Sequence, residues 1–439
     1  MRRILLLALV LMAHTANAQS WLDAAMRDVD TLASPVMAGR GYEGDGHLRA
    51  AAYIESAFRE AGLQPTGAGY RQPFTFTVDL VRGTPELHLN GRSIPPGRGF
   101  LPIASSPSAS YAGDARLVRA GAGLYAPEAG INDYAGVDAA GAIVVLEEAL
   151  PTPAPEGMPP AARTLLYRVE AAAAMGARAV FFLSETLSHG PFPQNTSIPG
   201  FLIQRGYWPE VGIEGSRDVA YTLTTAQDVP TETHNVVAFL PGTELPDRYL
   251  LVTAHFDHVG QLGPQVYFPG ANDNASGVAM ILSLARHFAR EPLRRSLLFV
   301  AFSGEEQGLI GSRVMAAEPP VPLTSIDFLL NMDMVASGQD GVMAVGGADF
   351  PDAFALLTAS ASTGDASGNV GRIGKRPNAP NSDHYPFLMA GVPGFFLYTN
   401  RGTQPYHSVD DVPETLEWDD FEAVFELSRA FLRRFDAGD

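Results

Sequence analysis

The sequence contains no cysteine. That absence excludes a disulfide framework, a thiolate metal site, a cysteine nucleophile and a lipidated N-terminal cysteine. Lysine is nearly absent too: Lys375 is the only one, and the other positive charges are arginine. Positive charge as a whole is in deficit, with 30 Lys plus Arg against 48 Asp plus Glu and a net charge of −18. A duplex-binding protein shows the opposite balance, so nucleic acid is not expected as a partner. No stretch reaches the roughly 18 consecutive apolar residues of a membrane-spanning helix, so no stable membrane anchor is expected. What is present is a chain of 439 residues, 46% hydrophobic and 18% charged. That is enough apolar surface to offset chain entropy and build a core. At roughly 100–200 residues per domain, the length suggests two or three domains.

The first 18 residues have the pattern of an export signal. Arg2 and Arg3 give a positive start, Ile4 to Met12 is a short apolar run, and Ala16-Asn17-Ala18 is a small-residue cleavage site. Cleavage after Ala18 is expected, with a periplasmic or secreted mature protein. Residues 19–80 form a first segment. Residues 21–65 read as helical, with Ala51, Ile54, Phe58 and Ala61 on one face and a stop at Gly62 and Pro65. Residues 73–80 alternate like a strand. From 81 to 226 short β-like runs are separated by Gly, Pro and Asp, with a proline-rich loop from Pro151 to Pro160. His88 and His189 are isolated there, and candidate catalytic groups are scarce. From 227 to 439 strands alternate with helices, which predicts an α/β sheet covered by helices on both faces. Such sheets bind ligands at the carboxyl ends of their strands.

In this last segment the acids and histidines follow the apolar runs. Tyr249–Ala254 ends in His255-Phe-Asp257, Ser296–Phe302 in Ser303-Gly-Glu305-Glu306, and Ile326–Asn331 in Met332-Asp333. Tyr406-His407 lies in the loop after Pro393–Tyr398, and Asp273 sits where a helix begins. Two imidazoles and three carboxylates from five segments can hold two zinc ions without any thiolate. If one carboxylate bridges, each ion has three protein ligands and a position is left for a shared water. Two such ions, ~3.5–4 Å apart, acidify that water and stabilise a tetrahedral oxyanion. One acid must stay off the metals to move protons.

These strings resemble a known family. From Thr231 to Asp411 the chain is similar to the co-catalytic di-zinc exopeptidases, which include bacterial secreted leucyl-type aminopeptidases. The likeness is carried by His234-Asn-Val-Val-Ala, Ala254-His-Phe-Asp-His258, Gly270-Ala-Asn-Asp-Asn-Ala-Ser-Gly277, Phe302-Ser-Gly-Glu-Glu-Gln-Gly308, Asn331-Met-Asp-Met334, Asn381-Ser-Asp-His-Tyr-Pro-Phe387 and Tyr406-His-Ser-Val-Asp-Asp411. Leu32-Ala-Ser-Pro-Val-Met-Ala-Gly-Arg40 extends it toward the N-terminus. Residues 81–226 resemble, more loosely, the β-rich protease-associated domain inserted in many members. The resemblance implies a mixed, largely parallel sheet flanked by helices on both faces, interrupted by that insert.

It also implies roles. Asp273 would bridge two Zn²⁺ ions, His255 and Asp333 would complete one site, and Glu306 and His407 the other. Glu305 would be the general base that activates the bridging water. Asp257 would orient His255, as metal-bound imidazoles usually require, and Asp411 would play a similar supporting part. Tyr406 would contact the oxyanion. Asp383 and His384 would lie near the substrate pocket without ligating metal. His258 and His287 receive no role. Glutaminyl cyclases share the fold with a single zinc, and the presence of both His255 and Asp333 favours two ions and hydrolysis.

The expected activity is removal of N-terminal residues from peptides with a free amine. A carboxypeptidase or dipeptidase on the same centre is the alternative, and a non-catalytic binding protein on an inactivated peptidase fold is a further one. Oligomeric state and preferred side chain are left open.

Overall fold

Alternation along the apolar runs decides the architecture. In a strand, successive side chains point to opposite faces. In the computed structural model Leu250, Val252 and Ala254 enter one hydrophobic cluster while Leu251 enters another. Leu297, Phe299 and Ala301 divide from Leu298, Val300 and Phe302 in the same way. Strands so apolar on both faces need cover on both. On one side it comes from the helix at residues 21–32 and the helices Gly46–Glu60, Gly277–Phe288, Pro351–Ser360 and Trp418–Ala437. On the other, Ile310–Ala317 and His384–Met389 contribute Met315 and Phe387. The structure describes residues 21–67, 69–190, 195–208, 215–338, 340–361, 370–400 and 405–438. The expected signal peptide lies outside them.

Among the described residues the sheet has nine strands. Its order is Gln64–Pro65, Thr225–Leu240, Arg295–Phe302, Leu245–His255, Ile326–Met332, Gly394–Thr399, Val342–Val345 and Ile373–Arg376, with Arg71–Val81 also paired to Thr225–Leu240. The four central strands run parallel, and antiparallel pairs flank them on each side. The mixed α/β sheet is therefore present, parallel at its centre, while the pairings toward its margins make it less parallel overall than expected. The register sets His255 beside Phe302 and Thr253 beside Asn331. Residues just beyond, from Ser303 to Glu306 and at Asp333, consequently leave the sheet along one edge.

A second sheet of eight strands is built between Glu86 and Leu223, around its own hydrophobic cluster that includes Ile143, Val180, Phe182 and Phe201. Among the described residues no helix is long and apolar enough to cross a membrane.

The continuous helix expected over 21–65 is two helices, 21–32 and Gly46–Glu60, separated by short 3-10 turns. Ala38, Gly39, Arg40 and Gly44 all take positive φ in that break, a backbone state no helix continues through. Gly39 is required there, because a Cβ would lie 2.1 Å from the carbonyl oxygen of Gly260.

Candidate metal centre

Asp273 lies in the irregular turn Ala271–Ser276 that opens the helix Gly277–Phe288. Its two carboxylate oxygens face different partners. Oδ1 is 3.4 Å from Nε2 of His255, and that nitrogen is also 3.4 Å from Asp333 Oδ1. Oδ2 is 3.1 Å from Nε2 of His407, which lies 3.0 Å from Glu306 Oε2. The five side chains that the resemblance singled out as ligands thus meet on one edge of the sheet, in two groups that share Asp273. Candidate ligand atoms of His255, Glu305 and Asp333 all lie within 4.8 Å of one another, as do those of His258, Asp273, Glu306 and His407.

The donor set fits zinc, which takes imidazole and carboxylate ligands. His407 supplies a sharper test. Its Nε2 is buried and close to two carboxylate oxygens, yet it makes a hydrogen bond to neither. Buried polar atoms are nearly always satisfied, and a cation between these atoms would satisfy all three.

Each ligand is held from behind. Thr253 donates to Asn331 Oδ1 (2.7 Å), Asn331 Nδ2 to Ser382 Oγ (2.8 Å), and Ser382 to Asp333 Oδ2 (2.7 Å), which leaves Oδ1 for His255. The Asp411 carboxylate accepts the backbone N–H groups of Asn272 and Asp273 at 2.9 and 3.0 Å. Its support thus goes to the Asp273 turn. Asn274 ties that turn to the Asp333 strand, donating to the Met332 carbonyl at 2.9 Å. Asp257 was expected to orient His255. The His255 Nδ1 instead faces the Asp257 carbonyl at 3.2 Å, with the carboxylate at 3.9 Å. The carboxylate accepts from the Tyr42 hydroxyl (2.9 Å) and from the Glu305 backbone N–H (3.1 Å), so it anchors the loop that carries Glu305.

Crowded carboxylates shift one another's proton affinity. Burial alone would raise Asp273, but its contacts with His255 and His407 outweigh burial and hold it well below the ordinary carboxylate range. Glu306 likewise falls to about 2, burial being overcome chiefly by His407. Glu305 goes the other way. Burial raises it well above its usual value, His255 opposes this, and Asp383, Glu306 and Asp333 add to the rise. A carboxyl pushed upward among ionised neighbours is the one suited to carry a proton.

A cavity of about 280 Å³ opens beside these groups, walled by Met334, Phe396, Tyr398 and Tyr406. Tyr406 stacks on His407 and is half exposed. Asp383 and His384 do not line it. Both are fully buried, because the short helix His384–Met389 starts there and packs under the sheet, where His384 lies against Phe396. The expected place near the pocket is thus below its floor.

Three residues without an expected role join the centre. His258 Nδ1 is 2.8 Å from Glu306 Oε1. Tyr42 reaches Asp257 as above. Arg40 is fully buried and donates to the carbonyls of Leu32, Phe256, Pro269, Gly270 and Asp273. It therefore clamps the backbone at both ligand turns. Its place in the Met-Ala-Gly-Arg string was the available signal, though nothing in that string announces such reach. The second sheet also touches the centre. The His189 N–H donates to the His407 carbonyl at 2.8 Å, and Ser184, Thr186 and Ser188 face Glu305 and Tyr406 across a cleft of about 550 Å³.

Comparison with known proteins bears on the family and the fold. The sequence model of Peptidase family M28 matches residues 235–432. A probable zinc metalloprotease of Pyrenophora teres f. teres is 40% identical over 112 residues, 25% of this chain and 24% of that protein. The match thus spans about a quarter of the relative's length. Solved structures share the fold over most of the chain. An aminopeptidase from Aneurinibacillus sp. strain AM-1 is 21% identical with a TM-score of 0.62, covering 94% of this chain and 93% of that one. BSAP, a zinc aminopeptidase from Bacillus subtilis, is 20% identical with a TM-score of 0.69, covering 94% of each.

Proposed function

We propose that this chain, whose residues 235–432 match the sequence model of Peptidase family M28, is an exported zinc aminopeptidase that removes N-terminal residues from peptides. The observation that carries the reading is the division of the Asp273 carboxylate, one oxygen toward His255 and Asp333, the other toward His407 and Glu306. Asp273 would bridge two zinc ions, with His255 and Asp333 completing one set of ligands and Glu306 and His407 the other. When bound, such a pair acidifies a water molecule and polarises the scissile carbonyl.

The chain's own groups do the rest. Glu305 takes a proton from the attacking water as its oxygen adds to the carbonyl carbon. It returns that proton to the amine nitrogen as the C–N bond breaks. Tyr406, on the cavity wall, would donate a hydrogen bond to the carbonyl oxygen as negative charge builds there. Asp257 keeps Glu305 in place through its backbone N–H. The cavity, at about 280 Å³, is at the small end of ligand pockets, roughly 300–1,000 Å³. That size suits a single terminal residue, with the adjoining cleft of about 550 Å³ beside Glu305 and Tyr406 open to the rest of the peptide.

The reading is tested with matched peptides bearing free, acetylated and C-terminally amidated ends. An aminopeptidase cleaves the free and amidated peptides and spares the acetylated one. Cleavage of the acetylated peptide with loss of activity on the amide would instead identify a carboxypeptidase, and cleavage of a free dipeptide with both blocked peptides spared would identify a dipeptidase. The export-signal pattern of residues 1–18 supports export, which is tested by sizing the mature protein and reading its N-terminus.

A further inference from the structure

The two halves of the centre hold their carboxylate ligands by different means. On one side, the oxygen of Asp333 that faces away from His255 is held by the hydroxyl of Ser382 at 2.7 Å. On the other, the oxygen of Glu306 that faces away from His407 is held by an imidazole, Nδ1 of His258, at 2.8 Å. An ionised carboxylate only accepts, so this contact requires the proton on Nδ1 of His258.

His258 has no freedom to be elsewhere. It is buried, and its ring sits edge-on to His407 with centroids 5.3 Å apart. Gly270 packs so closely on it that a Cβ there would lie 2.5 Å from the ring carbon Cδ2. The backbone N–H of His258 points to the carbonyl of Arg40, the residue that clamps both ligand turns. Its Nδ1 is 4.0 Å from Asp273 Oδ2, beyond hydrogen-bond reach, so Glu306 is the group it addresses.

We propose that His258 is a positioning residue for Glu306: by engaging Oε1 it leaves Oε2 alone to meet the cation shared with His407 and Asp273, and so sets the zinc affinity of that half of the centre. This rests on the zinc reading above and adds to it a residue outside the ligand set. A ligand carboxylate fixed in one rotamer with one free oxygen loses less freedom when the ion binds. Partners of this kind typically change metal affinity 10–100-fold. Asp333 is held by Ser382 and not by His258, so the half that contains it is expected to change far less on substitution of His258.

The experiment measures both zinc dissociation constants by competition with a coloured chelator, in wild type, His258→Ala and His258→Asn. Asparagine places an N–H donor near the position of Nδ1. Unfolding of each metal-free protein is followed by circular dichroism. The expected result is a loss of roughly 10–100-fold in one of the two constants for His258→Ala, the other staying within about threefold, with the loss largely recovered in His258→Asn. Two unchanged constants in His258→Ala would overturn the proposal. So would His258→Asn weakened as much as His258→Ala while its metal-free protein unfolds as wild type does. If His258→Ala does not fold, the asparagine variant decides alone: near-wild-type constants support the proposal, and one weakened site overturns it. A wild-type protein that binds no zinc removes the zinc reading and the proposal together, whereas wild type with two zincs and an indifferent His258→Ala removes the proposal only.

Discussion

The two sheets of this protein bury their apolar strands alike but differ in what they bury beside them. Among the described residues, the second sheet and its connections, from 86 to 223, contain no buried carboxylate. At the carboxyl edge of the first sheet, Asp257, Asp273, Asp333, Asp383 and Asp411 are all buried. Taking a charge out of water costs several kcal/mol per ion even after relaxation. A fold concentrates that cost where the charges do something, and it leaves the second sheet to ordinary packing. The difference separates an edge crowded with buried carboxylates from a sheet that has none, although His189 and the residues 184–188 of the second sheet reach that edge.

The comparison predicts a graded series. The largest effect is expected from Asp273→Ala, which removes an oxygen from both halves at once. Hydrolysis should vanish and metal analysis should find fewer than two zincs per chain. Retention of both ions would break the shared-ligand account. Next is Glu305→Gln, which keeps the shape but cannot take a proton. It should lower kcat by roughly 10²–10⁴-fold with two zincs still bound, a split that kinetics and metal analysis read separately. Asp257→Asn should cost about 10–100-fold in activity, because the amide weakens the hold on the Glu305 loop, and steady-state kinetics on zinc-loaded protein checks it.

A fourth expectation concerns protons. In the metal-free centre burial would lower His255 and His407, but their carboxylate neighbours outweigh it and hold both imidazoles well above the ordinary histidine value. They are therefore protonated near neutral pH and must lose those protons to ligate. Zinc binding should release protons and strengthen as pH rises. Calorimetry in buffers of different ionisation enthalpy reads the number released, and no release would contradict the sign. The smallest effect belongs to the second sheet. Ile143→Val, in its fully buried core, should lower unfolding stability by about 0.5–1.5 kcal/mol and leave kcat and zinc content unchanged.

Much of this centre was legible before any coordinates. His255, Glu305, Glu306 and Asp333 follow apolar runs that end at the same edge, and local periodicity suffices to see that. Asp273 at a helix start and His407 in a loop stood out beside them, and the resemblance then supplied the metal roles of all five. Other features had no local signature. The strands Val342–Val345 and Ile373–Arg376 are four residues each at the sheet margin, too short for an alternating pattern to stand out. The break between the first helices is made by positive-φ residues whose conformation is set by contacts with Gly260, about 220 positions away in sequence. Arg40 and Tyr42 reach the centre across similar separations. His258 was visible in the string His-Phe-Asp-His, but the direction of its ring is decided by Gly270 and Glu306, which the string does not contain. Asp383 and His384 stand behind the pocket wall, His384 against Phe396 and Asp383 close enough to raise Glu305, because the six-residue helix that begins there packs under the sheet, and their own motif does not show that burial.

The most direct test is diffraction from zinc-soaked crystals with anomalous data collected on either side of the zinc absorption edge. The account predicts two peaks, one between His255 and Asp333 and one between Glu306 and His407, with the Asp273 carboxylate between them. A single peak, or peaks away from Asp273, would contradict it.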